Sequence, residues 1–386
     1  MRTIPYGRQT IDEDDIQAVV DVLRSDWLTQ GPTVDSFEAA LAAYCGARYA
    51  VTCSSGTAAL HLAYQAAGLK PGDLLLTSPN TFAATANAAL YLGAKPLFTD
   101  IDPTTYNLNP SRIEETLSTF QLKGAHLGAI VPVHFAGTPC DMESIAKIAE
   151  RHRLIVIEDA CHALGASYAG KKIGALSDMT VFSFHPVKTI TSGEGGAVLT
   201  NSEGYFQRLR RLRSHGIERT HFEEPSHGAW YHEIQEIGYN YRMTDLQAAL
   251  GVSQLRKVDR FVARRREIVA LYQTAFKGNP YFDLPMEPSG AVSSHHLYPI
   301  RLKDSLKARK REIFHHLREQ GLGVQVHYLP VYRHPVYQKM GYPKGLCPAA
   351  EDFYQREISL PLFPTMSPEE VAYVIETVDR VCRVHA

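Results

Sequence analysis

The segment Ile155-Val156-Ile157-Glu158-Asp159-Ala160-Cys161-His162 is an apolar strand that ends abruptly in carboxylates. Downstream, Phe182-Ser183-Phe184-His185-Pro186-Val187-Lys188-Thr189 repeats the plan and ends near a lysine. Short runs with no polar alternation belong to strands covered on both faces, as in the middle of a parallel sheet. Outward from these two, similar runs lie at Tyr49–Cys53, Leu74–Thr77, Pro96–Asp100, Ala129–His134, Leu154–Asp159, Thr180–Phe184 and Ala197–Thr200. Helical periodicity intervenes at 57–67, 82–92, 111–119 and 142–152. Strands alternating with helices predict an α/β layer with a mainly parallel sheet. The last two strands follow each other without a helix, so the sheet is expected to be mixed.

At the N-terminal side a helix is expected from Asp12, with Ile16, Val19, Val20 and Leu23 on one face. A second runs from Thr33 to a stop at Gly46. Beyond residue 244 the pattern changes. One long helix, Thr244–Ala275, is followed by a proline-rich stretch, a strand at His296–Leu302, a helix at 305–320, a strand at Gly323–Tyr328 and a last helix at 367–384. This reads as a smaller α+β domain, dividing the chain into 1–255 and 256–386.

The 386 residues are 45% hydrophobic, enough for a large core. With 40 basic and 41 acidic residues the net charge is −1, which gives no reason to expect nucleic acid or an anionic membrane as a partner. The start Met1-Arg2-Thr3-Ile4-Pro5-Tyr6 lacks the apolar core of a signal peptide, and no run approaches the roughly 20 apolar residues of a membrane span. A cytoplasmic protein with reduced thiols is expected, since the six cysteines form no C-x-x-C pair. His295-His296 and His315-His316 lack metal-ligand spacing, so no metal site is expected. The clusters Arg208-Arg210-Arg211-Arg213 and Arg264-Arg265-Arg266 read as solvated helix faces.

Ligands of open α/β sheets sit beyond the carboxyl ends of the strands, which points to Asp159. By itself a strand-end aspartate often only caps a turn. Lys188 follows another strand end and precedes the flexible Ser192-Gly193-Glu194-Gly195-Gly196. Alone it is equally a surface lysine. In Cys53-Ser54-Ser55-Gly56-Thr57-Ala58 a strand passes through hydroxyls and glycine into a helix, which suits a phosphate but also an ordinary capped helix. Together the three supply what pyridoxal 5'-phosphate (PLP) needs: an amine, an anion for its ring nitrogen and a cradle for its phosphate.

Four runs carry a family resemblance. They are Ser54-Ser55-Gly56-Thr57-Ala58, Glu158-Asp159-Ala160, Ser183-Phe184-His185-Pro186-Val187-Lys188 and Gly238-Tyr239-Asn240-Tyr241-Arg242-Met243-Thr244. Nearly the whole chain resembles the DegT/DnrJ/EryC1/StrS family of PLP-dependent sugar aminotransferases, which have the type I, aspartate-aminotransferase-like fold. The resemblance implies that Lys188 holds PLP as a Schiff base and that Asp159 pairs with its ring nitrogen. It implies Phe82 against the ring, and Gly56, Thr57 and Ser183 at the phosphate. Asn240 would reach the phosphate of a neighbouring subunit, making the working unit a homodimer. His162 stands where many members carry glutamine; it would bond the cofactor's 3'-oxygen or pack over it. Dehydratases of the family lack the lysine, so Lys188 argues against that branch.

The resemblance also implies L-glutamate as amino donor and a nucleotide-linked keto-sugar as acceptor. Ile4-Pro5-Tyr6-Gly7, Leu23–Gly31, His185–Thr191 and Val324–Tyr328 are similar to the branch that aminates C4 of a UDP-linked 4-keto-6-deoxy-N-acetylhexosamine of L-altro configuration for pseudaminic acid. Tyr6, Asp26, Trp27, Leu28, Thr29, Gln325, Val326, His327 and Tyr328 would then contact the sugar nucleotide. Arg242 would meet the diphosphate, or serve a structural ion pair near the dimer interface. Trp27 and Tyr328 suit stacking on sugar or base, though packing explains either equally. Acceptors of the perosamine, bacillosamine or 4-amino-arabinose type compete, and a PLP-fold binding module without turnover is the reading from another class.

Overall fold

A computed structural model describes residues 3–121 and 126–386. Asp12 caps the first helix, α1 (Glu13–Leu23), in a capping box with Asp15. The second, α2 (Pro32–Cys45), has proline in its first turn and stops at Gly46 in the left-handed conformation, φ 74°. Strands β1 (Tyr49–Cys53), β2 (Leu74–Thr77), β3 (Lys95–Phe98), β4 (Leu127–Val131) and β5 (Ile155–Asp159) then alternate with α3 (Gly56–Ala66), α4 (Ala84–Tyr91), α5 (Pro110–Gln121) and α6 (Met142–His152).

Two more strands, Met179–Ser183 and Gly196–Thr200, complete a seven-stranded sheet. Its spatial order is β1, Gly196–Thr200, Met179–Ser183, β5, β4, β2, β3. Strand Gly196–Thr200 is antiparallel to both neighbours and every other pairing is parallel. The expected mixed sheet is therefore present, and its one reversed strand is the one that follows without a helix. The carboxyl ends of β1, β5 and Met179–Ser183 consequently share one edge with the start of Gly196–Thr200.

Beyond α7 (Glu203–Arg213) the expected long helix is two helices, α8 (Asp245–Leu255) and α9 (Val258–Ala275). The chain breaks at Arg256-Lys257, where Lys257 forms ion pairs with Asp12 and Asp15 below α1. The apolar period continues across the break, so it could not reveal the change of direction. A separate buried cluster then joins Ile268, Tyr272, Ile300, Leu317, Val374 and other residues up to Cys382, and takes in Ile4 from the chain start.

The expected helix 305–320 is also two, α10 (Asp304–Lys307) and α11 (Lys310–Glu319). The segment 323–328 is not a strand. It makes one bridge, Gln325 to Ser359, on the edge of strand Glu357–Leu360 that faces away from Tyr298–Leu302. The arginine clusters are not uniformly solvated either. Arg265 is 1% exposed and donates to the carbonyls of His295, His296 and Leu362. Arg213 is paired with Glu38 and donates to Thr52 O at 2.8 Å. Both carry their charge inward to buried acceptors, a use that spacing alone does not distinguish from solvation.

Candidate active site

The shared sheet edge is drawn tight by register. Gly196 stands opposite Cys53 on one side and Ser183 on the other. A Cβ at Gly196 would lie 2.4 Å from Ser55 O, so only glycine lets the α3 entry cross there. Gly56 meets a similar limit, since its Cβ would lie 2.8 Å from Ser183 Cβ. Gly56, Ser183 and Cys161 are thereby packed together.

Asp159, buried, closes β5. Its Oδ2 accepts the Thr85 hydroxyl at 2.6 Å and its Oδ1 accepts Cys161 N–H at 3.2 Å. Thr85 Oγ1 is also 2.7 Å from Thr81 Oγ1. The Thr85 proton is spent on the carboxylate, so Thr81 donates to Thr85, and the pair orients the acid from α4.

Lys188 sits on a loop closed by Phe184 N–H to Gly195 O and Ser192 N–H to Phe184 O. The half-buried amine has no ion-pair or hydrogen-bond partner among the described residues. Burial holds it below the ordinary lysine range, against the opposing pull of Cys161 and Asp159. A partnerless amine whose deprotonation burial eases suits a nucleophile and a base better than a structural cation.

The N-terminus of α3 provides a place for an anion. Ser55 caps it by accepting Ala58 N–H at 3.1 Å. The N–H groups of Gly56 and Thr57 remain without partners among the described residues, as the first turn of a helix leaves them. Ser183 stands beside them through its contact with Gly56.

Aromatic groups form the opposite wall. Phe82 is 63% exposed, and its ring lies 6.4 Å from that of Tyr328. The Tyr328 hydroxyl is 3.3 Å from His162 Nε2. Burial pushes that hydroxyl well above the usual tyrosine range and holds His162 well below the usual histidine range, with the Lys188 charge adding to the latter. His162 Nδ1 is buried without a partner. His327 packs on Tyr6 at 5.7 Å, and burial and Lys188 together hold its ring down to about 4.

The structure thus gathers Gly56, Thr57, Phe82, Asp159, His162, Ser183, Lys188, Tyr6, His327 and Tyr328 around one edge. Gln325 is tied to it by backbone pairing with Ser359, and Val326 links it to His327. Six expected residues are not gathered there. Asp26, Trp27, Leu28 and Thr29 are exposed on a loop held to the start of α8, where Thr29 bridges Thr244 and Asp245 N–H donates to Leu28 O. Asn240 is exposed and pairs with Ser214, and Arg242 makes no ion pair among the described residues.

Sequence reasoning left four neighbours unassigned. Thr85 lies three residues beyond Phe82, but its hydroxyl finds Asp159 only through the fold. His296, read only as half of a histidine pair and as a strand start, packs against His162 with ring centroids 4.4 Å apart, and its Nδ1 is likewise buried and unpartnered. Glu357 and Ser359 reach His327 from behind. Among the described residues no group of three or more His, Cys, Asp or Glu is placed to hold a metal ion.

Comparison with known proteins places the chain among aminotransferases. The chain is 41% identical over 380 residues to the spore coat polysaccharide biosynthesis protein SpsC of Bacillus subtilis, covering 97% of this chain and 96% of that one. It is 41% identical over 374 residues to the UDP-4-amino-4,6-dideoxy-N-acetyl-beta-L-altrosamine transaminase of Campylobacter jejuni, with the same shares covered. Its fold matches that of PseC of Helicobacter pylori, an aminotransferase involved in the biosynthesis of pseudoaminic acid, with a TM-score of 0.90 and 34% identity over 99% of this chain and 100% of that one. Residues 9–379 match a single family model, and the chain belongs to the DegT/DnrJ/EryC1/StrS aminotransferase family.

Proposed function

We propose that this protein is a PLP-dependent aminotransferase that moves an amino group from L-glutamate to C4 of a UDP-linked 4-keto-6-deoxy-N-acetylhexosamine of L-altro configuration. The observation that carries the reading is the Lys188 amine, partnerless and lowered by burial, at the same sheet edge as the fixed Asp159 carboxylate.

The residues present fit PLP. Lys188 is free to bind its aldehyde carbon, and Asp159 is oriented to hold a proton on its ring nitrogen. The open N–H groups of Gly56 and Thr57, with Ser183, suit its phosphate. Phe82 offers an exposed ring face and His162 an unsatisfied Nδ1. When bound, PLP supplies an electron sink that lets a proton leave the carbon bearing the amino group. Lys188, whose amine burial makes easier to deprotonate, takes that proton at Nζ and returns it at the neighbouring position. Tyr328 and the neutral rings of His162 and His327 enclose the space and limit the entry of water.

Asp26, Trp27, Leu28, Thr29, Asn240 and Arg242 are assigned to the site of a second copy. Their exposure supports this, as do Trp230 and Ile237, each 77% exposed on the same stretch as Asn240. A homodimer with shared sites follows, in the cytoplasm. No helix among the described residues is long and apolar enough to cross a membrane.

The test is an acceptor panel with purified protein, PLP and L-glutamate. UDP-, dTDP- and GDP-linked 4-keto-6-deoxy sugars are supplied and products read by mass spectrometry. Amination of the UDP-linked L-altro sugar alone is the expected result. Amination of a different 4-keto sugar would replace the acceptor, and no spectral change of the holoenzyme with glutamate would overturn the aminotransferase reading.

A further inference from the structure

A fully buried acid behind the site is connected to a histidine that faces it. Glu357 Oε2 accepts the backbone N–H of His327 at 2.8 Å. Glu357 Oε1 lies 2.5 Å from Ser359 Oγ, and Ser359 Oγ lies 2.8 Å from His327 Nδ1. Residues 357 and 359 share one face of their strand, so a single strand supplies both links. His327 Nε2 has no partner among the described residues.

Ser359 has one proton to donate, so the two bonds of this chain must run in the same direction. We propose that Glu357 and Ser359 are positioning residues that set the tautomer in which His327 meets the amino acceptor. The proposal rests on the reading that Gln325–Tyr328 line the acceptor pocket. With Glu357 ionised, Ser359 donates to it, His327 Nδ1–H donates to Ser359, and Nε2 presents a lone pair. With Glu357 protonated at Oε1, that proton goes to Ser359 Oγ, Ser359 donates to Nδ1, and Nε2 carries N–H. The change takes up one proton: it enters at Nε2, the Nδ1 proton passes to Ser359, and the Ser359 proton passes to Glu357. Keto, N-acetyl and phosphate oxygens can only accept, so the Nε2–H form is the one that binds the acceptor.

The surroundings make Glu357 the titrating member. Burial holds its carboxyl up at about 8, while the same burial opposes a charged His327 ring. Lys310 of α11 acts on Glu357 as a nearby cation; burial brings its own amine down to about 8, so the two groups change charge over the same range, and the amine rests on Tyr354 O. Arg301, opposite Glu357 in the strand register, is engaged by Asp283 and Asp352. Tyr106 and Tyr328 also face it, both as neutral hydroxyls raised by burial.

The direct test is nitrogen NMR of the 15N-histidine-labelled holoenzyme, with His327 identified by its absence in His327→Gln. The expected result is an Nε2-protonated ring at lower pH that becomes Nδ1-protonated across a midpoint near 8. Glu357→Gln keeps its amide oxygen on His327 N–H and turns its NH2 to Ser359, so it should lock Nε2–H at every pH. Ser359→Ala, a smaller change to the fold, should abolish the pH-dependent switch. In kinetics, the KM for the acceptor should rise about fivefold across that range, the worth of one hydrogen bond, and stay flat in Glu357→Gln. A single tautomer at all pH values, or the same switch in Glu357→Gln, would overturn the proposal. A normal acceptor KM in His327→Gln would instead remove the acceptor-pocket reading, while the NMR result still decides the coupling.

Discussion

Thr85 Oγ1 donates to Asp159 Oδ2 at 2.6 Å, across 74 positions of chain. This bond ties the start of α4 to the carboxyl end of β5, and the Thr81 hydroxyl behind it completes the support. The carboxylate assigned to the cofactor ring nitrogen is thereby held by Thr85, with Thr81 behind it, and Thr85 Oγ1 also lies 3.3 Å from Phe82 O.

Thr85→Val keeps the shape and removes the donor. It should cost about 1–2 kcal/mol of stability, as a buried acceptor loses its partner. The proton-transfer half-reaction with glutamate should slow roughly tenfold, by the energy of one charged hydrogen bond. Stopped-flow spectra of the holoenzyme mixed with glutamate measure this, and an unchanged rate would show that Asp159 needs no support from α4.

Lys188→Met should abolish amino transfer and leave the fold intact. Its stability effect has a definite sign. The fold lowers the Lys188 pKa, so it disfavours the charged amine, and that penalty is full below the folded-state value. It fades as pH rises towards the ordinary lysine value of 10.5. Without cofactor, Lys188→Met should therefore melt above the native protein at neutral and acidic pH, with the gap closing in alkali. A melting temperature below that of the native protein at pH 7 would contradict this.

Asp245 is fully buried and accepts the N–H groups of Gly31, Thr33 and Val34. It thus holds the loop of Asp26, Trp27, Leu28 and Thr29 against α8. Asp245→Ala should cost about 3 kcal/mol, the loss of several charged hydrogen bonds. At a temperature where the variant is folded, the KM for the sugar nucleotide should rise more than kcat falls, since the loop is assigned to binding. Denaturant melts and steady-state kinetics together check both parts.

His162, His296 and His327 are all held below the ordinary histidine value by burial. Each therefore binds its proton less readily folded than unfolded. The stability they allow is complete above the unfolded value of 6.5 and is lost as pH falls towards their folded values, about 4 for His327. The melting temperature should drop steeply from pH 6.5 to 5, and His296→Gln should make the decline shallower. A flat profile over that interval would show the three rings charged or exposed.

Much of this molecule is determined by local sequence. Strands Tyr49–Cys53 and Leu74–Thr77 form where their apolar runs lie, and Gly46 and Asp12 mark helix ends through their own backbone and side-chain chemistry. Asp159 and Lys188 could be singled out because each follows its own strand, and strand ends in an α/β sheet converge on one edge. Tertiary structure alone decided what depends on distant partners. The break at Arg256-Lys257 comes with ion pairs to Asp12 and Asp15, and the burial of Arg265 with three carbonyls remote in sequence. Thr85, His296 and Glu357 belong with these. Periodicity and spacing record which face of an element is apolar, but a hydrogen bond across many residues leaves no mark on the sequence near either end.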